Sequence, residues 1–255
     1  MLRHVDLCSG IGGFSLGLER AGFETVAFCE VNKKCQAVLK KHWPNVPIFD
    51  DVSNLNGEDI GQKVDVICGG FPRQDISVAG SGEGLAGRRS GLWSEFHRLI
   101  KEIKPKYAII ENVSALRSRG LDQVLREISE IGYDAEWHCI PASTVGAPHR
   151  RDRIWILAYD KRNQTDVAYT IDERPQGWLY RWAYQKRESE LGYLGRSSTA
   201  YGQQIEDQWA VEPNVGRVAN GISGRMDRLK QLGNAVVPQI PELIGMAIME
   251  REATG

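Results

Sequence analysis

The sequence has little that would place the chain in a membrane or outside the cell. No apolar run reaches the roughly 18 residues that a membrane-spanning helix requires. The first residues read directly into a strand pattern, without the basic and then apolar segment of a secretion signal. We therefore expect a cytoplasmic protein with no membrane partner.

Cysteine and net charge are also low. The 5 cysteines are odd in number and form no Cys-x-x-Cys pair. We expect reduced thiols, and no metal site is predicted because the sequence has no metal-type cluster of cysteine and histidine. The formal net charge of −1 excludes a globally basic nucleic-acid binder. Any contact with DNA therefore needs a local positive field.

Short apolar runs alternate with segments of helical periodicity in the first part of the chain. This alternation favours an α/β fold, a doubly wound and mostly parallel sheet. Strands are predicted at His4–Leu7, Thr25–Cys29, Val64–Cys68, Tyr107–Ile110 and Arg153–Ala158. Helices are predicted at Phe14–Ala21, Asn32–His42 (with Asn32 as its cap), Leu92–Ile103, Leu121–Ile131 and Pro238–Met249.

The composition of the chain changes after Tyr159, where the sequence becomes polar and its periodicity weakens. We predict a catalytic and cofactor-binding domain at 1–159, a small inserted domain at 160–223 and a returning C-terminal segment at 224–255. The aromatic residues of the insert are interpreted as a small core. A local excess of positive charge is clearest at four residues: Arg217, Arg225, Arg228 and Lys230. A solvated face is the expected role for any single one of them, and we expect some of the four to contact phosphate.

A glycine-rich turn at Asp6–Phe14 joins the first predicted strand to the first predicted helix. Its glycines allow a ligand close to the backbone, and the helix start offers free N–H groups. Glu30, after the second strand, can accept hydrogen bonds from two ribose hydroxyls. These features fit either a nucleotide-like ligand or a tight structural turn. Ser15 stands where a dinucleotide fingerprint has its third glycine, which disfavours NAD.

Asp51 and Val52 follow the third strand of the pattern. A carboxylate and an apolar side chain at this place can contact the amine and the face of an adenine. An ordinary carboxylate in a surface loop is the alternative interpretation of Asp51, and from the residues alone it is the preferred one.

An ordered series of motifs resembles the cytosine-5 DNA methyltransferase family. The motifs cover most of residues 1–160 and 217–250, and His149 replaces the glutamine usual in the family's arginine-containing segment. After the glycine-rich turn, Glu30 and Asp51, the motifs are Gly69–Gln74, Gly91–Trp93, Glu111–Val113, Gly146–Arg153 and Gly233–Pro238.

The resemblance implies a fold that binds S-adenosylmethionine, with the insert as a small target-recognition domain and double-stranded DNA as the partner. The C-terminal helix would return to pack beside the cofactor. By the same resemblance, the cofactor-binding residues are Asp6, Gly10, Gly12, Gly13, Phe14, Glu30, Val31, Asp51, Val52, Pro72, Leu92, Asn234 and Ala235.

The resemblance also implies covalent chemistry on a cytosine extruded from the duplex, in which a thiolate adds to carbon 6. Glu111 would hold ring nitrogen 3, and Arg151 and Arg153 would hold the carbonyl oxygen and a phosphate. From the residues alone, Glu111 could instead cap a helix, and the arginines could form a solvated loop. Alternation along a strand would place Arg151 and Arg153 on one face.

Arg73 stands where the family has its nucleophilic cysteine. An arginine stays protonated and cannot attack carbon 6. Cys68 is rejected as a substitute because it lies in a predicted buried strand. We therefore expect a methyltransferase scaffold that does not itself transfer a methyl group.

Three other functions stay open: a DNA- and cofactor-binding protein without catalysis, an RNA cytosine methylase and, more remotely, a nicotinamide enzyme. For a DNA methyltransferase, the simplest setting is a restriction–modification system or a phage. A cognate restriction endonuclease is then a candidate partner, and we expect a monomer.

Overall fold

The computed structural model describes residues 1–71, 91–147, 149–161 and 235–254. Pro72, Arg73 and Asn234 lie outside the described residues, as does nearly all of the predicted inserted domain with its aromatic and basic side chains.

The described residues form seven strands and five α-helices, joined in places by short 3-10 helices. The strands are β1 (Arg3–Leu7), β2 (Glu24–Cys29), β3 (Ile48–Phe49), β4 (Val66–Gly70), β5 (Tyr107–Val113), β6 (Tyr133–Pro141) and β7 (Asp152–Asp160). The helices are α1 (Gly13–Arg20), α2 (Lys33–His42), α3 (Leu92–Ile103), α4 (Leu121–Glu130) and α5 (Gln239–Thr254). The 3-10 helices are Val52–Asn54, Gly57–Ile60, Ser114–Ser118 and Ala142–Val145.

All seven strands belong to one sheet in the order β3-β2-β1-β4-β5-β7-β6. The pairs from β3 to β5 are parallel, whereas β7 runs antiparallel to both β5 and β6. The predicted class, a doubly wound and mostly parallel sheet, is confirmed. The edge strand β6 was not predicted, because Tyr133–Pro141 mixes polar and apolar residues along its length.

Local signals explain most of the element bounds. The side chain of Asn32 accepts hydrogen bonds from the backbone N–H groups of Lys34 and Cys35 and so caps α2, as predicted. Helix α3 has its predicted bounds and ends at Ile103, two residues ahead of Pro105. Strand β5 runs to Val113, further than its apolar run indicated, and therefore includes Glu111.

Helices cover both faces of the sheet. On one face, α3 and α4 bury a core that includes Phe96, Leu99 and Val124. On the other, α5 packs on α1 so closely that a β-carbon at Gly17 would lie 2.2 Å from the carbonyl oxygen of Pro238. The C-terminal end of the chain thus lies against the helix that follows the glycine-rich turn. Within the described ranges, no helix is long and apolar enough to cross a membrane.

Candidate active site

The sheet has its topological switch point between β1 and β4. Chain connections lead away from this pair in opposite directions, towards β2 and β3 on one side and towards β5 on the other. Ligands of open α/β sheets bind in the crevice at the carboxyl ends of strands at such a point. The glycine-rich turn follows β1 here, and the Gly69–Gln74 motif begins at the end of β4.

The glycine-rich turn needs backbone shapes that favour glycine. Gly10 has φ 57° and Gly12, which precedes α1, has φ 86°. The hydroxyl of Ser9 donates to the carbonyl oxygen of Asp6 at 2.6 Å, which closes the turn. A β-carbon at Gly10 would meet no atom of the described residues within 4 Å, so these residues leave the turn open to a ligand on that side.

Neighbouring segments hold the turn at Gly12 and Gly13. A β-carbon at Gly12 would lie 2.6 Å from the ring of Trp43, and one at Gly13 would lie 2.6 Å from the carbonyl oxygen of Val236. Val236 belongs to the last motif, next to the predicted cofactor residue Ala235. The structure therefore brings the last motif against the first, although more than 200 residues separate them in sequence.

Glu30 ties together the loops that follow β1 and β2. Its carboxylate accepts hydrogen bonds from the backbone N–H of Gly10 at 2.7 Å and from that of Asn32 at 2.8 Å. Each carboxylate oxygen keeps a further lone pair for a ligand hydroxyl. Val31 is 74% exposed and offers an apolar surface to an aromatic ring.

Asp51 and Val52 differ in their surroundings. Val52 is buried, whereas Asp51 is exposed and its carboxylate accepts a hydrogen bond from the backbone N–H of Ser53 at 2.9 Å. Asp51 therefore caps a short helix in this structure, and its outer side remains accessible. Leu92 begins α3 and is half-buried.

Asp6 lies beneath the turn and is fully buried. Ser15 donates a hydrogen bond to its Oδ2 at 3.0 Å, and His4 Nε2 lies 3.0 Å from the Ser15 oxygen. Burial raises the pKa of Asp6 from 3.8 to about 8, against the lowering effect of the Ser15 hydrogen bonds. Burial lowers the pKa of His4 from 6.5 to about 3.

Glu111 and Arg153 form an ion pair at the carboxyl end of β5. Arg153 Nε lies 2.8 Å from Glu111 Oε1, and the two side chains are 23% and 12% exposed. Burial raises the pKa of Glu111 above its usual value, although Arg153 and Arg151 both oppose the shift. The site thus holds a carboxyl group that takes up a proton more readily than one in water.

The same strand end fixes the start of the Gly69–Gln74 loop. A β-carbon at Gly70 would lie 2.9 Å from Glu111 Oε2, so a side chain at this position would displace the carboxyl group. The side chain of Asn112 donates a hydrogen bond to the carbonyl oxygen of Phe71 at 2.9 Å. Glu111 therefore lies beside the backbone that leads into Pro72 and Arg73.

The prediction that strand alternation places Arg151 and Arg153 on one face was wrong. Only Arg153 lies in β7, whereas Arg151 precedes the strand and has φ 24°, outside the strand conformation. The carbonyl oxygens of Arg150 and Arg151 both lie within hydrogen-bonding distance of the Ala142 N–H, which bends the chain at this point. Both guanidinium groups nevertheless act on the pKa of Glu111.

Cys68 is no substitute nucleophile in this structure. Its side chain is fully buried, and its thiol donates to the carbonyl oxygen of Val5 at 3.5 Å. Burial raises its pKa well above the usual value for a thiol, so the thiolate form is disfavoured.

The residues around the glycine-rich turn and the residues around Glu111 coincide with the motifs of one protein family. The profile of the family described as C-5 cytosine-specific DNA methylase matches residues 2–191. The chain belongs to this family. The resemblance seen in the motifs is confirmed.

Curated methylases of the family include similar proteins from a bacterium and a virus. The type II methyltransferase M2.BsuMI of Bacillus subtilis is 36% identical over 179 residues, which cover 67% of this chain and 45% of that protein. The type II methyltransferase M.CviJI of Paramecium bursaria Chlorella virus IL3A is 38% identical over 161 residues, which cover 62% and 43%. The chain spans about half the length of these relatives.

A solved methylase structure shares the fold. It is a protein from an E. coli prophage, described as a DNA modification methyltransferase, and it is 28% identical with a TM-score of 0.54. The match covers 66% of this chain and 49% of that chain.

Several residues that shape this candidate site were not predicted as site residues from the sequence. Trp43 carries no sequence signal that links it to the glycine-rich turn. Asn112 had a signal, because it lies in the Glu111–Val113 motif, but its contact with Phe71 joins segments that are far apart in the chain. Gly70 likewise lies in the Gly69–Gln74 motif, but the sequence does not show that Glu111 lies close to it.

Proposed function

We propose that this chain is a cytosine-5 methyltransferase scaffold that binds S-adenosylmethionine and a cytosine extruded from duplex DNA, and that Arg73 prevents methyl transfer. The observation that carries the proposal is the position of Glu111. Its carboxyl group has a raised pKa, pairs with Arg153 at 2.8 Å, and lies against the Gly70 backbone that leads to residue 73.

The crevice beside β1 suits S-adenosylmethionine. Glu30 has free lone pairs for ribose hydroxyls, Val31 offers an exposed apolar surface for the adenine, and Gly10 leaves open space above the turn. The N–H groups at the start of α1 favour a carboxylate. When bound, S-adenosylmethionine supplies an electrophilic methyl group carried on a sulfonium.

The acid and the arginines suit a cytosine ring. A protonated Glu111 can donate a hydrogen bond to ring nitrogen 3 and so withdraw electrons from the ring. Arg153, already held by Glu111, can donate to the carbonyl oxygen at carbon 2. The base must leave the duplex to reach these groups, because the site is recessed at the end of the sheet.

Arg73 lacks the chemistry that this site requires. In an Arg73→Cys variant, a thiolate adds to carbon 6 and makes carbon 5 nucleophilic towards the methyl group. Once carbon 5 carries the methyl group, a base would take the carbon 5 proton, and the electrons of that bond would expel the thiolate and restore the ring. A guanidinium stays protonated and cannot form the first bond, so the chain with Arg73 would act as a DNA- and cofactor-binding protein without catalysis.

Transfer of a radiolabelled methyl group to mixed-sequence duplex DNA tests the proposal. We expect no transfer by the chain with Arg73, clear transfer by Arg73→Cys, and none by Arg73→Ala, which creates space without a nucleophile. Arg73→Cys combined with Cys68→Ala should keep its activity, because Cys68 is buried. Turnover by the unchanged chain would refute the inactive state.

A substrate competition separates DNA from RNA. We expect duplex DNA, and not transfer RNA, to compete for methylation by Arg73→Cys. Bisulfite sequencing of DNA from cells that express this variant would report the methylated sequence. A cognate restriction endonuclease and a monomeric state remain predictions, to be tested by co-purification and by light scattering.

A further inference from the structure

The segment that follows β5 carries exposed arginines beside the candidate active site. We propose that Arg117, Arg119 and Arg150, here named the arginine patch, bind backbone phosphates of duplex DNA next to the extruded base. This inference rests on the proposed function, and it names side chains outside the basic segment predicted from sequence.

The backbone brings the members of the patch to one place. Val113 at the end of β5 pairs with Arg153 at the start of the antiparallel strand β7. The 3-10 helix Ser114–Ser118, which continues from β5, and residues 149–151, which lead into β7, therefore leave the sheet at the same end. That 3-10 helix contacts β7 directly. The patch thus lies at the sheet end that also holds Glu111.

The patch is held on an ordered support. Leu116 is only 2% exposed and belongs to the same core as Leu121 and Ile154. The backbone N–H of Arg119 donates to the carbonyl oxygen of Leu116 at 3.0 Å. Arg117 and Arg119 flank this anchored turn and are exposed. Their guanidinium groups therefore start from a fixed backbone.

Local charge favours a phosphate partner. Neither Arg117 nor Arg119 forms an ion pair with a residue that the structure describes, and residues 112–121 contain no acid. The nearest acid on α4, Asp122, pairs with Arg126 at 3.6 Å. Asp152 follows the patch in sequence, and its one negative charge does not cancel the three positive charges of the patch. Arginines on a chain of formal net charge −1 thus supply the local positive field that DNA binding needs.

Salt-dependent binding to a fluorescein-labelled mixed-sequence duplex, followed by fluorescence anisotropy, tests the patch. We expect the triple variant Arg117→Gln, Arg119→Gln, Arg150→Gln to bind roughly fivefold to fiftyfold more weakly at about 100 mM salt. The slope of log K against log salt should become shallower by about 0.9 for each phosphate that the variant no longer neutralises. The triple lysine variant should restore most of the slope.

The matched control is Arg126→Gln. Arg126 is an exposed arginine of the neighbouring helix α4, and it already pairs with Asp122. This substitution should leave both affinity and slope unchanged, and all variants should keep the parent's melting temperature and affinity for S-adenosylmethionine. If the parent binds duplex DNA and the triple glutamine variant retains its slope, the patch is refuted while the proposed function stands. If the parent does not bind duplex DNA at all, both are refuted.

Discussion

Gly12 and Trp43 are in direct contact across the glycine-rich turn: a β-carbon at residue 12 would lie 2.6 Å from the indole ring. The indole is itself fixed, because its N–H donates to Glu19 at 2.7 Å and its ring meets Phe28 edge to face at 5.2 Å. The end of α2 therefore supports the turn from below. These contacts fix the shape of the turn, and a preorganised turn lowers the cost of binding a ligand.

Gly12→Ala should distort this support. The substitution combines a left-handed backbone with a steric clash, so we expect a loss of roughly 2–4 kcal/mol in the free energy of unfolding. Affinity for S-adenosylmethionine, measured by isothermal titration calorimetry on folded protein, should fall at least roughly tenfold. Unchanged affinity would show that Trp43 does not shape the binding turn.

Gly61→Ala provides the matched control for that substitution. Gly61 has φ 68°, similar to that of Gly12, but a β-carbon there would meet nothing within 4 Å in the part of the chain that the structure describes. We expect only the backbone cost of about 1–2 kcal/mol and no change in affinity for S-adenosylmethionine.

The buried carboxyl group of Asp6 should make stability depend on pH. Its pKa is about 8 in the folded chain against 3.8 as the ordinary value, so the folded state keeps a proton that the unfolded chain has released. The contribution of Asp6 is therefore complete below about pH 4 and is lost as the pH rises through 8. His4, with its pKa lowered to about 3, has the opposite slope between pH 3 and 6.5 and no effect above that range.

Between pH 6.5 and 8, Asp6 changes the free energy of unfolding and His4 does not. At about 1.4 kcal/mol per pH unit, the loss reaches about 2 kcal/mol, or a fall of roughly 4–8 °C in the melting temperature. Differential scanning fluorimetry at several pH values measures it. Asp6→Asn, which cannot ionise, should flatten this part of the profile, and an equally steep fall in the variant would contradict the assignment.

Asn112→Asp should disturb the start of the loop that holds residue 73. The change replaces the amide that donates to Phe71 with a carboxylate oxygen, which cannot donate and repels the carbonyl oxygen. Asn112 is 2% exposed, so we expect a loss of about 1–3 kcal/mol in the free energy of unfolding, measured by urea denaturation. The exposed Asn45→Asp should change it by less than about 0.5 kcal/mol.

Glu111→Gln should separate catalysis from cofactor binding in the Arg73→Cys background. A glutamine keeps the shape but has no proton to transfer to ring nitrogen 3. We expect kcat to fall by roughly 100-fold or more, while the dissociation constant for S-adenosylmethionine stays within about twofold. Equal losses in both quantities would indicate that Glu111 supports the fold and does not act on the base.

Much of the fold could be predicted because the signals are local. The bounds of α3 follow from apolar spacing and from Pro105, and the cap of α2 follows from Asn32 alone. The order of the motifs was sufficient to identify the family. The edge strand β6 was missed because one side of an edge strand lacks a neighbouring strand, which leaves its pattern mixed.

The sequence by itself determined which residue types are present, which family the chain belongs to, and that position 73 carries an arginine. Only the tertiary structure decided that Trp43 supports Gly12, that Val236 closes on Gly13, and that Glu111 meets Arg153 beside Gly70. The reason is physical. Periodicity and caps act over a few residues, whereas burial, close contact and a shifted pKa arise only when distant segments pack together and exclude water.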